Sequence, residues 1–347
     1  MRMRSLNFGC WLGCLAAVLL VANTVPAQKG ALRATLIDVE GGQATLFVTP
    51  TGQSLLIDTG WPGNNMRDAD RIARAASKMG VKRLDYVLIT HFHADHVGGV
   101  PQLIQRIPVG TFIDHGVSHE MDTLGGRALY EDYLKAISAA HATRLIPKPG
   151  DVLPVTGVRV QVITADGAMI QTPLAGAGDP NPYCTAKLEP EDKTENSRSL
   201  GIELTFGKVK ILDLGDLTRD KEQQLMCPAN RLGQVDVFIV SHHGWNQSSS
   251  AVLVDAIRPR VALMDNGATK GGSIEVLDTV QKAPGLEVLW QLHFSEEGGA
   301  QHNAPAPFIA NLHGTDEAHA LELTVQPSGA FAVTNTRTGF TKEYGAR

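Results

Sequence analysis

Residues His91-Phe92-His93-Ala94-Asp95-His96 set three imidazoles and a carboxylate within one short run. Borderline divalent metals such as zinc prefer these side chains, several to an ion. A single histidine is ordinarily a satisfied core residue, but packing alone does not account for four potential ligands at this spacing. His91 and His93 would serve one ion, and Asp95 and His96 its neighbour. Two ions, about 3.5–4 Å apart in typical two-metal sites, provide a metal-bound hydroxide and polarise the oxygen of the scissile group. The expected chemistry is metal-assisted hydrolysis, with zinc as the expected ion and manganese as the alternative.

The neighbouring segments are those that could aim such ligands. Tyr86 to Ile89 reads as a buried strand and runs directly into the histidine run, where the chain leaves its ladder. Before it, Ala34 to Val39, Ala44 to Thr49 and Ser54 to Asp58 read as strands separated by Gly-containing turns. Asn65 to Met79, Val100 to Ile107 and Ala128 to Ala140 read as helices, with a strand at Thr111 to Ile113. The second half repeats the grammar: strands at Val158 to Ile163, Gly201 to Phe206, Val209 to Leu214, Val235 to Val240 and Val261 to Met264, helices at Ser249 to Ile257 and Ile274 to Gln281. Leu321 to Val325 and Ala330 to Thr334 form a hairpin pattern. Two similar halves with polar residues at strand ends predict an α/β fold, a four-layer αββα sandwich. Residues 168–197, rich in Gly, Pro and polar residues, read as a long loop near the site.

The His-x-His-x-Asp-His run resembles the signature of the metallo-β-lactamase superfamily, and further motifs follow in the family's order across residues 34–335. Leu55-Leu56-Ile57-Asp58-Thr59-Gly60 is similar to its first motif, which implies that Asp58 supports the metal loop by hydrogen bonding rather than by ligation. Leu212-Asp213-Leu214-Gly215-Asp216 is similar to the strand that ends in Gly-Asp, implying Asp216 as the carboxylate shared by both ions and Asp213 as structural. Ser241-His242-His243-Gly244 resembles the last motif, which gives one histidine to the second ion. The resemblance leaves both histidines open. His242, the first residue after the strand, is favoured as ligand, with His243 then beside the substrate and catalytic with Asp95 and Asp216.

The His-His-Gly motif, the Asn196-Ser197-Arg198-Ser199-Leu200 segment and the Gly-Asp motif are most similar to the hydrolase domain of ComEC-type competence proteins and to exported relatives such as phosphorylcholine esterases. Two departures stand out. Asn196 or Ser197 occupies the place of a third histidine in β-lactamases and glyoxalases, which opens the first ion's shell. Lys270-Gly271-Gly272-Ser273 stands where ComEC-type domains often carry Gly-His-Pro. Asn196 and His115 are expected around the ligands, His115 being able to replace the missing histidine, and His293 is expected to face the substrate. The implied substrate is a phosphoester. A β-lactam or lactone is the alternative, and a non-catalytic metal-binding module is the alternative of another class.

The chain of 347 residues carries a formal net charge of -5, which gives no support to a nucleic-acid partner, since non-specific affinity rests on Lys and Arg meeting phosphates. A small-molecule or phosphoester substrate is the partner expected, and the sequence is silent on oligomeric state. Residues 1–27 pair two early arginines with an apolar stretch and the small-residue exit Val25-Pro26-Ala27, the pattern of a secretory signal. The mature domain would then be 28–347, periplasmic or extracellular and without a membrane segment. Cys184 and Cys227 remain in it and suit a disulfide in an oxidising compartment, though spacing alone does not pair them.

Overall fold

The computed structural model describes residues 30–313 and 317–347, so the expected leader at 1–27 lies outside the described residues. Among the described residues the strands form two sheets. The first holds β1 (Leu32–Leu36), β2 (Thr45–Val48), β3 (Ser54–Ile57), β4 (Leu84–Leu88), β5 (Val109–Ile113), β6 (Thr143–Leu145), and the C-terminal β15 (Leu321–Val325), β16 (Phe331–Asn335) and β17 (Thr341–Tyr344). Its order is β17-β16-β15-β1-β2-β3-β4-β5-β6. The second holds β7 (Arg159–Ala165), β8 (Ala168–Met169), β9 (Gly201–Phe206), β10 (Val209–Asp213), β11 (Val237–Ile239), β12 (Val261–Met264), β13 (Val288–His293) and β14 (Ile309–Asn311), in the order β14-β13-β12-β11-β10-β9-β7-β8.

Period-two alternation makes the layers. In β3, Leu55 and Ile57 point between the sheets, while Leu56 points outward. The inner layer gathers Leu88, Ile113, Ile202, Ile211, Ile239, Leu263 and Trp290 from both sheets. Outward-facing Val87 and Phe112 pack on α1 (Arg67–Lys78) and on α4 (Leu124–Ala139) through Ile72 and Tyr133. On the other side Leu212, Phe238 and Ala262 pack on α5 (Arg219–Met226), α6 (Ala251–Ile257) and α7 (Ile274–Gln281) through Leu225, Leu253 and Leu277. The molecule is the four-layer αββα sandwich that the alternating segments predict. Two one-turn helices lie beside the site, α2 (Ala94–Val97) and α3 (Val100–Leu103), and a third one-turn helix, α8, spans Gly299–His302.

Helix α3 is shorter than its apolar spacing predicts, because Pro108 disfavours helical geometry in Ile107. Helix α4 begins four residues earlier than predicted: Thr123 caps it by accepting from the Gly126 amide at 3.0 Å, so the glycine pair is helical rather than a break.

Pairs β3–β4, β4–β5 and β5–β6 are parallel, and so is every neighbouring pair from β10 to β14. In such sheets ligands gather beyond the carboxyl ends of the strands. Asp58 follows β3, the His91–His96 run follows β4, Asp216 follows β10, and His242 and His243 follow β11. Both halves therefore deliver polar residues to one edge. The long loop divides: Glu195–Arg198 forms a short 3-10 turn at that edge, while its middle is anchored away from it by a Cys184–Cys227 disulfide.

Candidate metal centre

The strand-end loops bring four side chains into one buried cluster. Asp95, His96, Asp216 and His243 each offer a ligand atom, and those atoms lie within 4.8 Å of one another. Asp216 Oδ2 stands 3.3 Å from His96 Nε2 and 3.9 Å from His91 Nε2, while Oδ1 faces His243 Nε2 at 3.7 Å. One carboxylate thus looks towards ligands from both halves of the chain. His91 Nε2 and His93 Nδ1 face each other at 3.1 Å and make the second lobe of the site. Gly215 is required at the junction: its φ is +56°, and an added Cβ would lie 2.8 Å from Thr90 Cβ.

The outer contacts fix which nitrogen each imidazole offers. His96 Nδ1 bonds to Asp58 Oδ2 at 2.7 Å, and His243 Nδ1 faces Asp265 Oδ1 at 3.2 Å. Asp58 and Asp265 hold the Nδ1 side of the two rings, which turns each Nε2 towards the cluster. The two Nε2 atoms are 3.2 Å apart, a pairing that needs either a proton or a cation between them. Asp216 Oδ1 is likewise buried without a hydrogen-bond partner. His93 turns its Nε2 to Glu120 Oε1 at 3.3 Å, which frees Nδ1.

The electrostatics point the same way. Burial works against charge on His96, but Asp216, Asp95 and Asp58 outweigh it and hold the imidazole well above its usual range. Burial also opposes the Asp95 and Asp216 carboxylates, yet the surrounding histidines keep both well below the usual range. Burial pushes His91 well down, so its imidazole is neutral and able to ligate. A pocket so arranged is built to hold cations, and imidazole with carboxylate is the donor set of a borderline divalent ion.

Asp58 is the support that the motif implies. It accepts from the Thr90 amide at 2.8 Å and from Thr90 Oγ1 at 2.6 Å besides His96. Asp58→Asn replaces one of the two accepting oxygens with a donating amide and removes the negative charge beside His96, and metal affinity should fall about 10- to 100-fold. Chelator competition measures it, and unchanged affinity would remove this role.

Three expectations need correction. His243, expected beside the substrate, is the histidine that joins Asp95, His96 and Asp216 in the four-residue cluster, while His242 approaches the cluster only through Asp216. Residues 242–244 run through three successive left-handed conformations (φ 56°, 54° and 81°), so strand alternation does not carry into them. His242 instead lies 3.3 Å from Asp216 Oδ2, is pushed down to about 4 chiefly by burial, and lines the cleft. His293 does not face this site: its Nε2 bonds to Asp38 Oδ1 at 2.7 Å, and Arg71 balances Asp38 from 3.2 Å. His115 does not replace the missing ligand. It bonds to Glu195 Oε1 at 2.7 Å, and Glu195 accepts from the Phe92 amide at 3.3 Å, so it braces the metal loop from behind.

The cleft over the cluster, about 320 Å³, is lined by His93, Asp95, Asn196, Asp216, His242, Trp245, Gln247 and Lys270. Asn196 lines that cleft, and its Oδ1 is buried without a hydrogen-bond partner. Sequence reasoning missed Glu120, Glu195 and Asp265, whose partners are remote in the chain. A larger cavity of about 480 Å³ beneath residues 176–183 is lined by no histidine and lies away from this chemistry.

Residues 38–182 match the sequence profile of the metallo-beta-lactamase superfamily. That stretch of the chain is similar to the metallo-β-lactamase superfamily. Asp216 and His243, which share the buried cluster with Asp95 and His96, lie beyond the matched stretch. Recombination protein 2 of Haemophilus influenzae is 26% identical over 75% of this chain and 27% of its own length. ComE operon protein 3 of Bacillus subtilis is 22% identical over 74% of this chain and 31% of its own. The chain thus spans less than a third of these two relatives. A UPF0173 metal-dependent hydrolase of Cupriavidus necator is 26% identical over 64% of this chain and 70% of its own. Among solved structures, zinc-bound PqqB from Methylobacterium extorquens is 14% identical, with a TM-score of 0.39 over 67% of this chain and 89% of that one. Among the described residues, no helix is long and apolar enough to cross a membrane.

Proposed function

We propose that this domain is an exported phosphoesterase that works with two divalent ions, zinc in the first instance. The observation that carries the reading is the pair of facing Nε2 atoms of His96 and His243, 3.2 Å apart and flanked by Asp95 and Asp216. His91 and His93 hold the first ion, Asp95, His96 and His243 the second, and Asp216 reaches both. Ions held there supply Lewis acidity and a water that ionises near neutral pH.

The chain's own residues do the rest. Asp58, Asp265 and Glu120 keep three imidazoles in the tautomer that ligates. Asp216 Oδ1, free of other partners, can accept a hydrogen bond from the attacking water. Asn196, Gln247 and Lys270 put amide and ammonium groups around the cleft, suited to the oxygens of a phosphoryl group. Trp245, 42% exposed, offers its ring at the rim for an apolar leaving group. The Cys184–Cys227 disulfide and the N-terminal signal pattern support export.

The test compares bis-p-nitrophenyl phosphate with nitrocefin, using protein loaded with zinc or manganese. Cleavage of the phosphodiester with little nitrocefin turnover is expected. The reverse would move the assignment to lactam hydrolysis, and bound metal without turnover of any ester or lactam would leave a binding module. Recovery from the periplasm with a new N-terminus after Ala27 checks the export arm.

A further inference from the structure

Lys270 occupies an unusual place for an ammonium. Asp95 Oδ2 is the oxygen turned towards the second-ion ligands, 3.2 Å from His243 Nε2 and 3.4 Å from His96 Nε2. The same oxygen accepts a hydrogen bond from Lys270 Nζ. Nζ also donates to the Gly41 carbonyl at 2.7 Å and stands 5.3 Å from the centre of the Trp61 ring. A carboxylate, a carbonyl and an aromatic face therefore cradle it.

The backbone builds this placement in. Gly272 N bonds to the His243 carbonyl at 2.9 Å, and Ser273 N to the Gly244 carbonyl at 2.9 Å. At Gly271, φ is +76° and an added Cβ would stand 2.1 Å from the His243 carbonyl oxygen, so only glycine lets the two loops close. The lysine loop is thus locked onto the histidine that completes the second-ion site. Among the described residues that line the cleft, Lys270 is the one Lys or Arg.

We infer that Lys270 is a tethered competitor of the second ion: its ammonium neutralises Asp95 when the Asp95–His96–His243 side is vacant and weakens divalent binding there. The inference rests on the two-ion reading above and deepens it. The cause is like-charge repulsion at short range, together with the ion pair that loading must give up. The His91–His93 lobe faces Glu120 rather than Lys270 and is spared. The two lobes therefore load in sequence, the first tightly and the second weakly.

The test is a stepwise zinc titration of the metal-free protein by calorimetry, a readout that does not depend on turnover. Lys270→Met keeps the length and the packing on Trp61 but removes the charge. It should tighten the second binding step about 10- to 100-fold, the range that contacts around metal ligands command, and leave the first step unchanged. Lys270→Gln retains a hydrogen-bond donor for Asp95 without the charge, and should behave like the methionine variant. Lys270→Arg keeps the charge and should keep the weak second step. If the methionine variant binds the second ion as weakly as the wild type or more weakly, or if glutamine restores the wild-type value, the lysine merely positions Asp95 and the inference falls. Failure of both wild type and variants to bind any ion would instead remove the metalloenzyme reading beneath it.

Discussion

Asp216→Asn is expected to cut kcat/KM by about 10³-fold or more, the rate equivalent of several kcal/mol of transition-state charge stabilisation from bound metal. It should also lower bound metal to at most one ion per chain. Asparagine has the shape of aspartate, so the protein should still fold. What changes is the charge: one oxygen becomes an amide aimed either at His96 and His242 or at His243. The carboxylate is buried and held well below the usual range by the imidazoles around it, so neutralising it removes the partner of the charged His96. The metal-free variant should therefore melt below metal-free wild type, and the rise in melting temperature on adding zinc should disappear. Elemental analysis and thermal melts with and without zinc read both. Wild-type turnover with two ions bound would show that Asp216 is not shared.

The second large effect concerns the fold. The double substitution Cys184→Ser and Cys227→Ser should cost about 4 kcal/mol of unfolding free energy by the loop-entropy relation for a separation of 43 residues. Urea unfolding of the oxidised protein and the double variant measures it. The disulfide fastens the middle of the 168–197 segment to the end of α5, whereas only Glu195–Arg198 reaches the metal edge. Metal content should consequently survive below the unfolding transition. Equal stability of the two proteins would show that other contacts already fix the segment, such as Asn181 Nδ2 to the Met226 and Val252 carbonyls at 3.1 and 3.0 Å.

Where side-chain period and chain period agree, the sequence is legible. Gly201–Phe206, Val261–Met264 and Ile274–Gln281 fall where their patterns predict. Helix α5 is not visible, because Arg219 to Gln224 are polar without interruption and its apolar contacts come only at Leu225 and Met226. Helix α2 is hidden for a different reason: its residues are chosen for ligation, and Asp95 and His96 carry no helical apolar stripe.

The site divides in the same way. Four candidate ligands lie within one six-residue run and announce themselves. Asp216 is readable through a motif. The choice between His242 and His243 is not, since it depends on backbone angles that alternation cannot foresee. His293 misleads because its partner, Asp38, lies 255 positions away. Lys270 is visible only as a departure from a family pattern, and its contact with Asp95 spans 175 positions.

The left-handed turn through His242, His243 and Gly244 has a cost and a consequence. Residues with a Cβ pay roughly 1–2 kcal/mol each for such a conformation, and that cost persists here because ligand geometry demands it. The tightest selection on these two positions is therefore against improvement. Glycine at either one would relax the chain and raise thermal tolerance, yet it would delete an imidazole. Any search for hardier forms of this enzyme that selects on melting temperature alone will drift towards inert protein at these codons, and should screen metal content alongside heat resistance.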